Sequence, residues 1–246
     1  MAANLSRRLV AEALGTAFLL AAVVGSGIMG ERLSGGNVAI ALLANTLATG
    51  AALVALILSF APISGAHFNP VVTGAELFVG RGSRLDAAAY VVAQVVGAFA
   101  GVAAAHLMFE LPLFSASRHA RAGAAQAFSE FVATFGLIGV IQCVGRGAPR
   151  FVAFAVGAYI SAAYWFTAST SFANPAVTLA RAASDTFAGI QPSDVPGFVA
   201  AQLAGAATAA LLFRWLFDAT GLATSSSDEV FHGGRPHVHR PVSLHR

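Results

Sequence analysis

The sequence contains no lysine, a single cysteine and few charged residues, which make up 10% of its 246 positions. The lone Cys143 excludes an internal disulfide framework. All 14 basic residues are arginines that occur singly or in pairs, so the chain lacks the basic patch of a nucleic-acid-binding protein. Apolar side chains are abundant instead, at 57% of the chain with a mean hydropathy of +0.73. This composition is typical of an integral membrane protein, with the lipid bilayer as its surroundings.

Apolar segments that approach membrane length occur six times along the chain. A transmembrane helix needs about 20 apolar residues to cross a hydrocarbon core of about 30 Å. The segments are Leu9–Met29, Val38–Phe60, Leu85–Met108, Gln126–Cys143, Phe151–Thr167 and Val195–Phe217. The first is longer than the apolar region of a signal peptide, so we interpret it as a retained span. The pattern predicts one membrane channel domain over 1–218 and a cytoplasmic, disordered tail over 219–246.

Arginines fall mostly on one side of these six spans. That side holds Arg7, Arg8, Arg81, Arg84, Arg146, Arg150, Arg235, Arg240 and Arg246, whereas the other holds Arg32, Arg118, Arg121 and Arg181. Because basic residues accumulate in cytoplasmic loops, both termini are predicted to be cytoplasmic. The even number of spans agrees with this orientation.

The two halves of the membrane region repeat each other, over about 9–108 and 126–217. A Glu and a Thr four residues apart occur in the first and fourth spans, at Glu12 and Thr16 and at Glu130 and Thr134. The third span carries AQVVGA and the sixth carries AQLAGA. Three spans per half is an odd number, so the second half enters the membrane from the opposite side. Inverted repeats of this kind build central pathways in membrane proteins.

Each half also contains a polar loop that ends in Asn-Pro, at Asn69 and at Asn174. Asn is a strong N-cap and Pro suits the first helical position, so each pair predicts the start of a helix. The runs that follow, Pro70–Val79 and Pro175–Ala183, are each roughly 15 Å long, half the thickness of a hydrocarbon core. Two such half-helices are predicted to meet at the membrane midplane.

The loops before these half-helices are predicted to line a passage. Irregular backbone at membrane depth is tolerated only where it is buried or lines a cavity. Their carbonyls are therefore candidate acceptors along a pore, from Gly65, Ala66, His67 and Phe68 and from Ser169, Thr170 and Ser171. The positive ends of both half-helices and two free Asn amides are expected to face the centre, where they bind solute oxygens and disfavour cations.

The motifs SGAHFNPVVT and STSFANPAVT resemble the two Asn-Pro-Ala boxes of the aquaporin (major intrinsic protein) family, and the resemblance extends from about Ala11 to Phe217. It implies an all-α membrane fold with six transmembrane helices and two half-helices in an inverted 3+3 repeat. It places Asn69, Pro70, Val71, Asn174, Pro175 and Ala176 at the pore midplane. It also implies a homotetramer in the inner (cell) membrane, with one pore per copy.

The resemblance assigns roles to three further side chains. Intramembrane carboxylates are costly and usually functional, and by resemblance Glu12 and Glu130 brace the loops by accepting backbone N–H groups. We expect this bracing role in preference to a proton relay. His67 matches a pore-lining histidine on the cytoplasmic side, and the alternative is a packed, hydrogen-bonded histidine.

The outer constriction departs from the family pattern. Most aquaporins carry an arginine directly after the second box, where this chain has Val177. The resemblance places two further constriction positions at Thr49 in span two, where water-selective members usually carry Phe, and at Ser171 in the loop. The span-five partner is Ala162 by counting back from the second box, or Tyr164 by aligning a glycine. These side chains predict a wider constriction without a fixed positive charge.

Arg181 lies one turn after Val177, about 6 Å further out, which places it at the outer mouth. Two alternatives follow for Arg181: its charge attracts oxyanions at the mouth, or its side chain is solvated or faces lipid. In lacking this arginine, the chain is similar to bacterial aquaporin-like channels associated with arsenic resistance.

The expected function is a passive channel for small uncharged solutes: water, glycerol-like polyols, arsenite or methylated arsenicals. The alternatives are a channel that also passes small oxyanions, and a structural or junctional membrane protein. No cofactor or metal is expected, and the titratable groups within the spans are too few and too separated for an enzyme.

Overall fold

The structure is a computed structural model that describes residues 4–218. In this range the α-helices are α1 (Leu5–Leu33), α2 (Val38–Ser64), α3 (Pro70–Phe78), α4 (Arg84–Met108), α5 (Ala124–Gly147), α6 (Val152–Phe166), α7 (Pro175–Arg181) and α8 (Val195–Asp218). Short 3₁₀ turns at Pro149–Phe151 and Pro192–Asp194 lead into α6 and α8. The predicted tail over 219–246 lies outside the described residues.

Five of these helices are long and apolar enough to cross a membrane: α1, α2, α4, α5 and the run Pro192–Phe217 that contains α8. The sixth predicted span corresponds to α6, which has 15 residues. With the preceding 3₁₀ turn it extends to about 28 Å, close to the thickness of a hydrocarbon core. Large apolar side chains such as Phe18, Leu47, Val92 and Leu211 remain exposed on the outer faces, where lipid would cover them.

Helices pack in the same way in both halves. Helix α1 packs on α2 and α4, and α5 packs correspondingly on α6 and α8. The close approach of α4 to α1 depends on Gly97, where an added Cβ would overlap the carbonyl oxygen of Ala13. Gly205 of α8 meets the Phe131 carbonyl of α5 in the same way. The repeated Gly of the AQxxGA motif is therefore a packing requirement of each half.

Helices α3 and α7 are the two half-helices, and both begin at the centre of the molecule. The side chain of Asn69 accepts a hydrogen bond from the Val71 N–H at 3.1 Å, and that of Asn174 accepts one from the Ala176 N–H at 3.0 Å. These are the caps that Asn-Pro predicts. The helices end at Phe78 and Arg181, one and two residues earlier than predicted. The predicted fold class, an all-α membrane protein with an inverted repeat, is confirmed.

Candidate conduction pathway

The two Asn-Pro boxes are joined to each other at the centre of the molecule. Asn69 Nδ2 donates to the Ala173 carbonyl at 2.8 Å, and Asn174 Nδ2 donates to the Phe68 carbonyl at 2.8 Å. An Asn amide has two hydrogens, so one remains on each side chain for a solute. The expectation that both amide groups are wholly free is therefore wrong, because half of their donors hold the opposite loop in place.

Glu12 lies at the centre of the first loop's hydrogen bonds and is fully buried. It accepts from the backbone N–H groups of His67 at 3.0 Å and Phe68 at 2.7 Å. The Ser64 hydroxyl and the Gln94 amide also donate to it, at 2.6 and 2.8 Å. Each carboxylate oxygen thus accepts two hydrogen bonds, and this geometry fits the expected role of Glu12 in bracing the loop.

Glu130 makes the matching set of contacts in the second repeat and is likewise fully buried. It accepts from the backbone N–H groups of Phe172 and Ala173, both at 2.8 Å. The Ser169 hydroxyl and the Gln202 amide each donate at 2.6 Å. Gln94 and Gln202 therefore have the same role in the two repeats, and the recurrence of AQxxGA in both halves is the sequence signal for it.

The braced loops have an unusual backbone conformation. Phe68 and Ala173 adopt φ values of +49° and +47°, in the left-handed region that non-glycine residues rarely occupy. Each such residue costs on the order of 1 kcal/mol or more. Because the N–H groups of these same two residues are bound to the buried carboxylates, the hydrogen bonds of Glu12 and Glu130 offset this cost.

One continuous cavity of about 340 Å³ passes these groups, with Arg81 and Arg146 at one end and Arg181 at the other. These ends are named inner and outer after the orientation that the arginine distribution predicts. Eleven of the predicted site residues line it, namely Thr49, Gly65, Ala66, His67, Phe68, Asn69, Tyr164, Ser171, Asn174, Val177 and Arg181. Six others lie outside its wall: Pro70, Val71, Ser169, Thr170, Pro175 and Ala176. In the first turns of the half-helices, the first two residues therefore lie behind the wall, whereas Val72 and Val177, the third residues, line the cavity.

Of the two α6 candidates for the constriction, Tyr164 lies in the cavity wall, and its hydroxyl donates to Thr49 Oγ1 at 3.3 Å. Ala162 is exposed on the outer face of α6. Two residues along a helix correspond to about 200° of rotation, so the two candidates necessarily face opposite sides. Placing Ala162 in the constriction is therefore wrong. Val177 and Ser171, the other predicted constriction residues, also line the cavity.

Arg181 is buried in the outer end of the cavity wall, with 2% of its surface exposed. Its Nε donates to the Ala188 carbonyl, and its Cζ lies 3.3 Å from the centroid of the Phe172 ring. One of the two alternatives for Arg181 is therefore wrong, because its side chain is neither solvated nor lipid-facing and instead lines the cavity four residues beyond Val177. The segment 182–194 folds back over α7 and supplies the carbonyl, which a sequence pattern does not indicate.

Arg121, in the connector between α4 and α5, is a second buried arginine that sequence analysis did not single out. Its Nε donates to the Gly189 carbonyl at 2.8 Å and its Nη1 to the Ser169 carbonyl at 3.1 Å. Its Cζ lies 5.0 Å from the Phe172 ring, which therefore contacts two guanidinium groups. Burial lowers the pKa of Arg121 to about 10, so it stays charged at neutral pH. The Ser169 carbonyl accepts this contact, and Ser169 does not line the cavity, so the structure does not support it as a pore acceptor.

His67 fits both expected roles, that of a pore-lining histidine and that of a packed one, because it lines the cavity and its ring is also hydrogen-bonded. Its Nδ1 lies 3.1 Å from Thr73 Oγ1, and its ring centroid lies 5.2 Å from that of Tyr90. Nearer the inner mouth, Glu76 and Arg81 form an ion pair at 2.9 Å. Between residues 4 and 218, no group of three or more His, Cys, Asp or Glu side chains is arranged to hold a metal ion.

Comparisons with known proteins agree with this architecture. A family model described as "Major intrinsic protein" matches residues 1–146. The chain is 58% identical over 213 residues to aquaglyceroporin AqpS of Rhizobium meliloti (strain 1021), covering 87% of this chain and 91% of that protein. It is 32% identical to aquaporin TIP1-2 of Zea mays, covering 95% and 89%. The X-ray structure of the aquaglyceroporin from Plasmodium falciparum has the same fold, with a TM-score of 0.67, 21% identity, and coverage of 87% and 96%.

Proposed function

Because the chain belongs to the aquaporin (major intrinsic protein) family, whose members are membrane channels and not enzymes, we propose that it conducts water and glycerol-like polyols passively. It is an integral multi-pass membrane protein. We place it in the inner membrane with both termini in the cytoplasm, as a homotetramer with one pore per copy. The relative at 58% identity bears the name aquaglyceroporin, which supports polyols as cargo.

The observation that carries this proposal is the wall of the constriction. Val177, which occupies the position after the second box, lines the cavity, and so does Thr49, which accepts a hydrogen bond from Tyr164. A valine leaves more open cross-section than an arginine that extends into the passage. The remaining amide hydrogens of Asn69 and Asn174 supply the donors that orient a hydroxyl group as it passes.

Arg181 supplies positive charge without closing the constriction. It lies four residues after Val177, about 6 Å along the half-helix. Its guanidinium is held by the Ala188 carbonyl and the Phe172 ring, so it does not swing across the passage. Together with the positive ends of α3 and α7, this charge disfavours cations while leaving room for neutral solutes.

Arsenite and methylated arsenicals are the further cargo we propose. Neutral arsenite carries hydroxyl groups as glycerol does, so the same donors serve it. A second candidate cargo is small oxyanions, and the observation that favours it is the buried Arg181 in the outer wall. Because the Nε of Arg181 is bound to the Ala188 carbonyl and its guanidinium lies over the Phe172 ring, we rank neutral solutes first.

A solute panel on purified protein in liposomes tests this proposal, with water, glycerol, arsenite, a methylarsenical and a simple anion measured separately. Val177→Arg should suppress the flux of glycerol and the larger solutes while water flux remains measurable, because the arginine narrows the passage. Unchanged flux of every larger solute in this variant would contradict a wide constriction at Val177. A voltage-dependent anion current in the wild type would favour the oxyanion alternative. Chemical cross-linking in the membrane followed by mass determination tests the tetramer.

A further inference from the structure

The two loops that lead into the half-helices begin alike but are held by different donors. Ser64 and Ser169 lie five residues before each Asn, and the hydroxyl of each donates to the bracing glutamate of its repeat. The carbonyl of Ser64 accepts a hydrogen bond from the Tyr90 hydroxyl at 2.8 Å. The carbonyl of Ser169 instead accepts one from Arg121 Nη1 at 3.1 Å. The same acceptor is therefore held by a helix residue in one repeat and by the connector between α4 and α5 in the other.

Comparison of α4 with α8 explains why the donors differ. Tyr90 lies four residues before Gln94 on α4, and the residue four before Gln202 on α8 is Phe198. Because phenylalanine has no hydroxyl, repeat two lacks the donor that repeat one uses. Arg121 comes from outside the repeat and supplies it. Arg121 and Phe198 line one small cavity of about 170 Å³, so the two side chains are neighbours.

The loop of repeat two also has more strain to offset at this point. After Ser64 comes Gly65, with a φ of +90°, whereas after Ser169 comes Thr170, with a φ of +59°. A left-handed backbone costs free energy at a threonine that it does not cost at a glycine. Arg121 contacts this segment twice, since its Nη1 also donates to Thr170 Oγ1 at 3.4 Å. Its guanidinium thus supports the loop where the strained conformation starts.

The residues that follow this segment belong to the wall of the passage. Ser171 and Phe172 both line the main cavity. The Phe172 ring contacts the guanidinium of Arg121 and, more closely, that of Arg181. Arg121 itself does not line the main cavity. It therefore reaches the passage only through the loop and through the Phe172 ring.

We propose that Arg121 is a positioning residue for the outer half of the passage, and that it does in repeat two what the Tyr90 hydroxyl does in repeat one. Through the loop it sets Ser171 and Phe172 in the wall, and through Phe172 it holds the guanidinium of Arg181 aside. This inference rests on the proposed function. Without Arg121 the loop relaxes, and an arginine released towards the passage narrows it more for a polyol than for water.

Arg121→Gln tests this assignment, because the shorter side chain lacks the guanidinium fork that joins the loop to the Gly189 carbonyl. In liposomes we expect glycerol permeability to fall about 3- to 10-fold, the equivalent of one hydrogen bond. Water permeability should stay within about twofold. A merely structural role predicts a different result, since partial unfolding reduces the number of channels and lowers both fluxes in parallel.

Phe198→Tyr in the Arg121→Gln background is the second arm of the experiment. By its equivalence to Tyr90, the new hydroxyl should donate to the Ser169 carbonyl. The ratio of glycerol to water flux and the melting temperature should both return towards their wild-type values. Arg118→Gln is the matched control, because Arg118 is an exposed arginine of the same connector and pairs with Asp185 at the surface. This variant should leave the flux ratio unchanged.

The inference is overturned by an unchanged flux ratio in Arg121→Gln, or by a parallel loss of both fluxes. A double variant that is no better than the single one also overturns it, and this includes the case in which neither protein folds. A wild type that passes water but no glycerol overturns the polyol part of the proposed function, which is a separate result.

Discussion

Replacing Glu130 by Gln should destabilise the protein strongly, although the two side chains have nearly the same shape. The carboxylate accepts four hydrogen bonds, two on each oxygen. In the Gln variant an amide nitrogen replaces one of the two carboxylate oxygens. The two groups that donated a hydrogen bond to that oxygen then face the amide N–H₂, which is itself a donor. If the nitrogen takes the place of Oε1, these groups are the Ser169 hydroxyl and the Phe172 N–H. If it takes the place of Oε2, they are the Ala173 N–H and the Gln202 amide.

The expected magnitude follows from these contacts. A hydrogen bond to a charged group contributes about 1.5–3 kcal/mol, and an unpaired buried donor costs about 1–3 kcal/mol. A hydroxyl or an amide side chain can rotate to accept, but a backbone N–H cannot. We therefore expect the free energy of unfolding to fall by about 2–4 kcal/mol. For a chain of this size that corresponds to a melting temperature lower by about 5–15 °C.

Thermal unfolding of the purified protein in detergent measures this change, with proteoliposome water flux as a second readout. Glu12→Gln is the matched variant in repeat one, where the carboxylate also accepts four hydrogen bonds, and it should show a similar loss. A melting temperature within about 1 °C of wild type for either variant would refute the bracing argument. A stable variant with altered proton permeability would instead support a proton relay.

Three further predictions concern packing, the buried arginines and pH. Gly205→Ala should lower the melting temperature because the added methyl overlaps the α5 backbone, whereas Gly197→Ala on the same helix meets no atom within 4 Å and should not lower it. Phe172→Leu should reduce the free energy of unfolding by about 1–3 kcal/mol in denaturation experiments, because both guanidinium–ring contacts are lost. Partial burial lowers the pKa of His119 below 6.5. The folded state then binds fewer protons than the unfolded state just below pH 6.5, so stability falls as the pH drops through that window. His119→Gln should flatten this part of the pH profile of the melting temperature, and an unchanged profile would contradict the assignment.

The mirrored contacts of the two repeats explain why so much of the passage could be predicted from one sequence. Asn-Pro defines a helix start by local chemistry alone, and an isolated Glu in an apolar span needs a nearby set of donors. Each signal occurs twice, which identifies it as part of the architecture. The side chains without a repeat partner were harder to predict: no motif marks Arg121, and for Arg181 both an oxyanion-attracting position at the outer mouth and a solvated or lipid-facing one remained open.

Hydropathy, capping and motif position are local properties, so the membrane-spanning pattern, the two half-helix starts at Asn69 and Asn174 and the unusual Val177 follow from the order of the residues alone. The tertiary structure decided which face of α6 meets the cavity, and therefore that Tyr164 lines it. It also decided that Arg181 is buried, because its carbonyl partner comes from a segment that folds back from later in the chain. The partners of a polar side chain at membrane depth depend on how distant segments meet, and no local pattern encodes that.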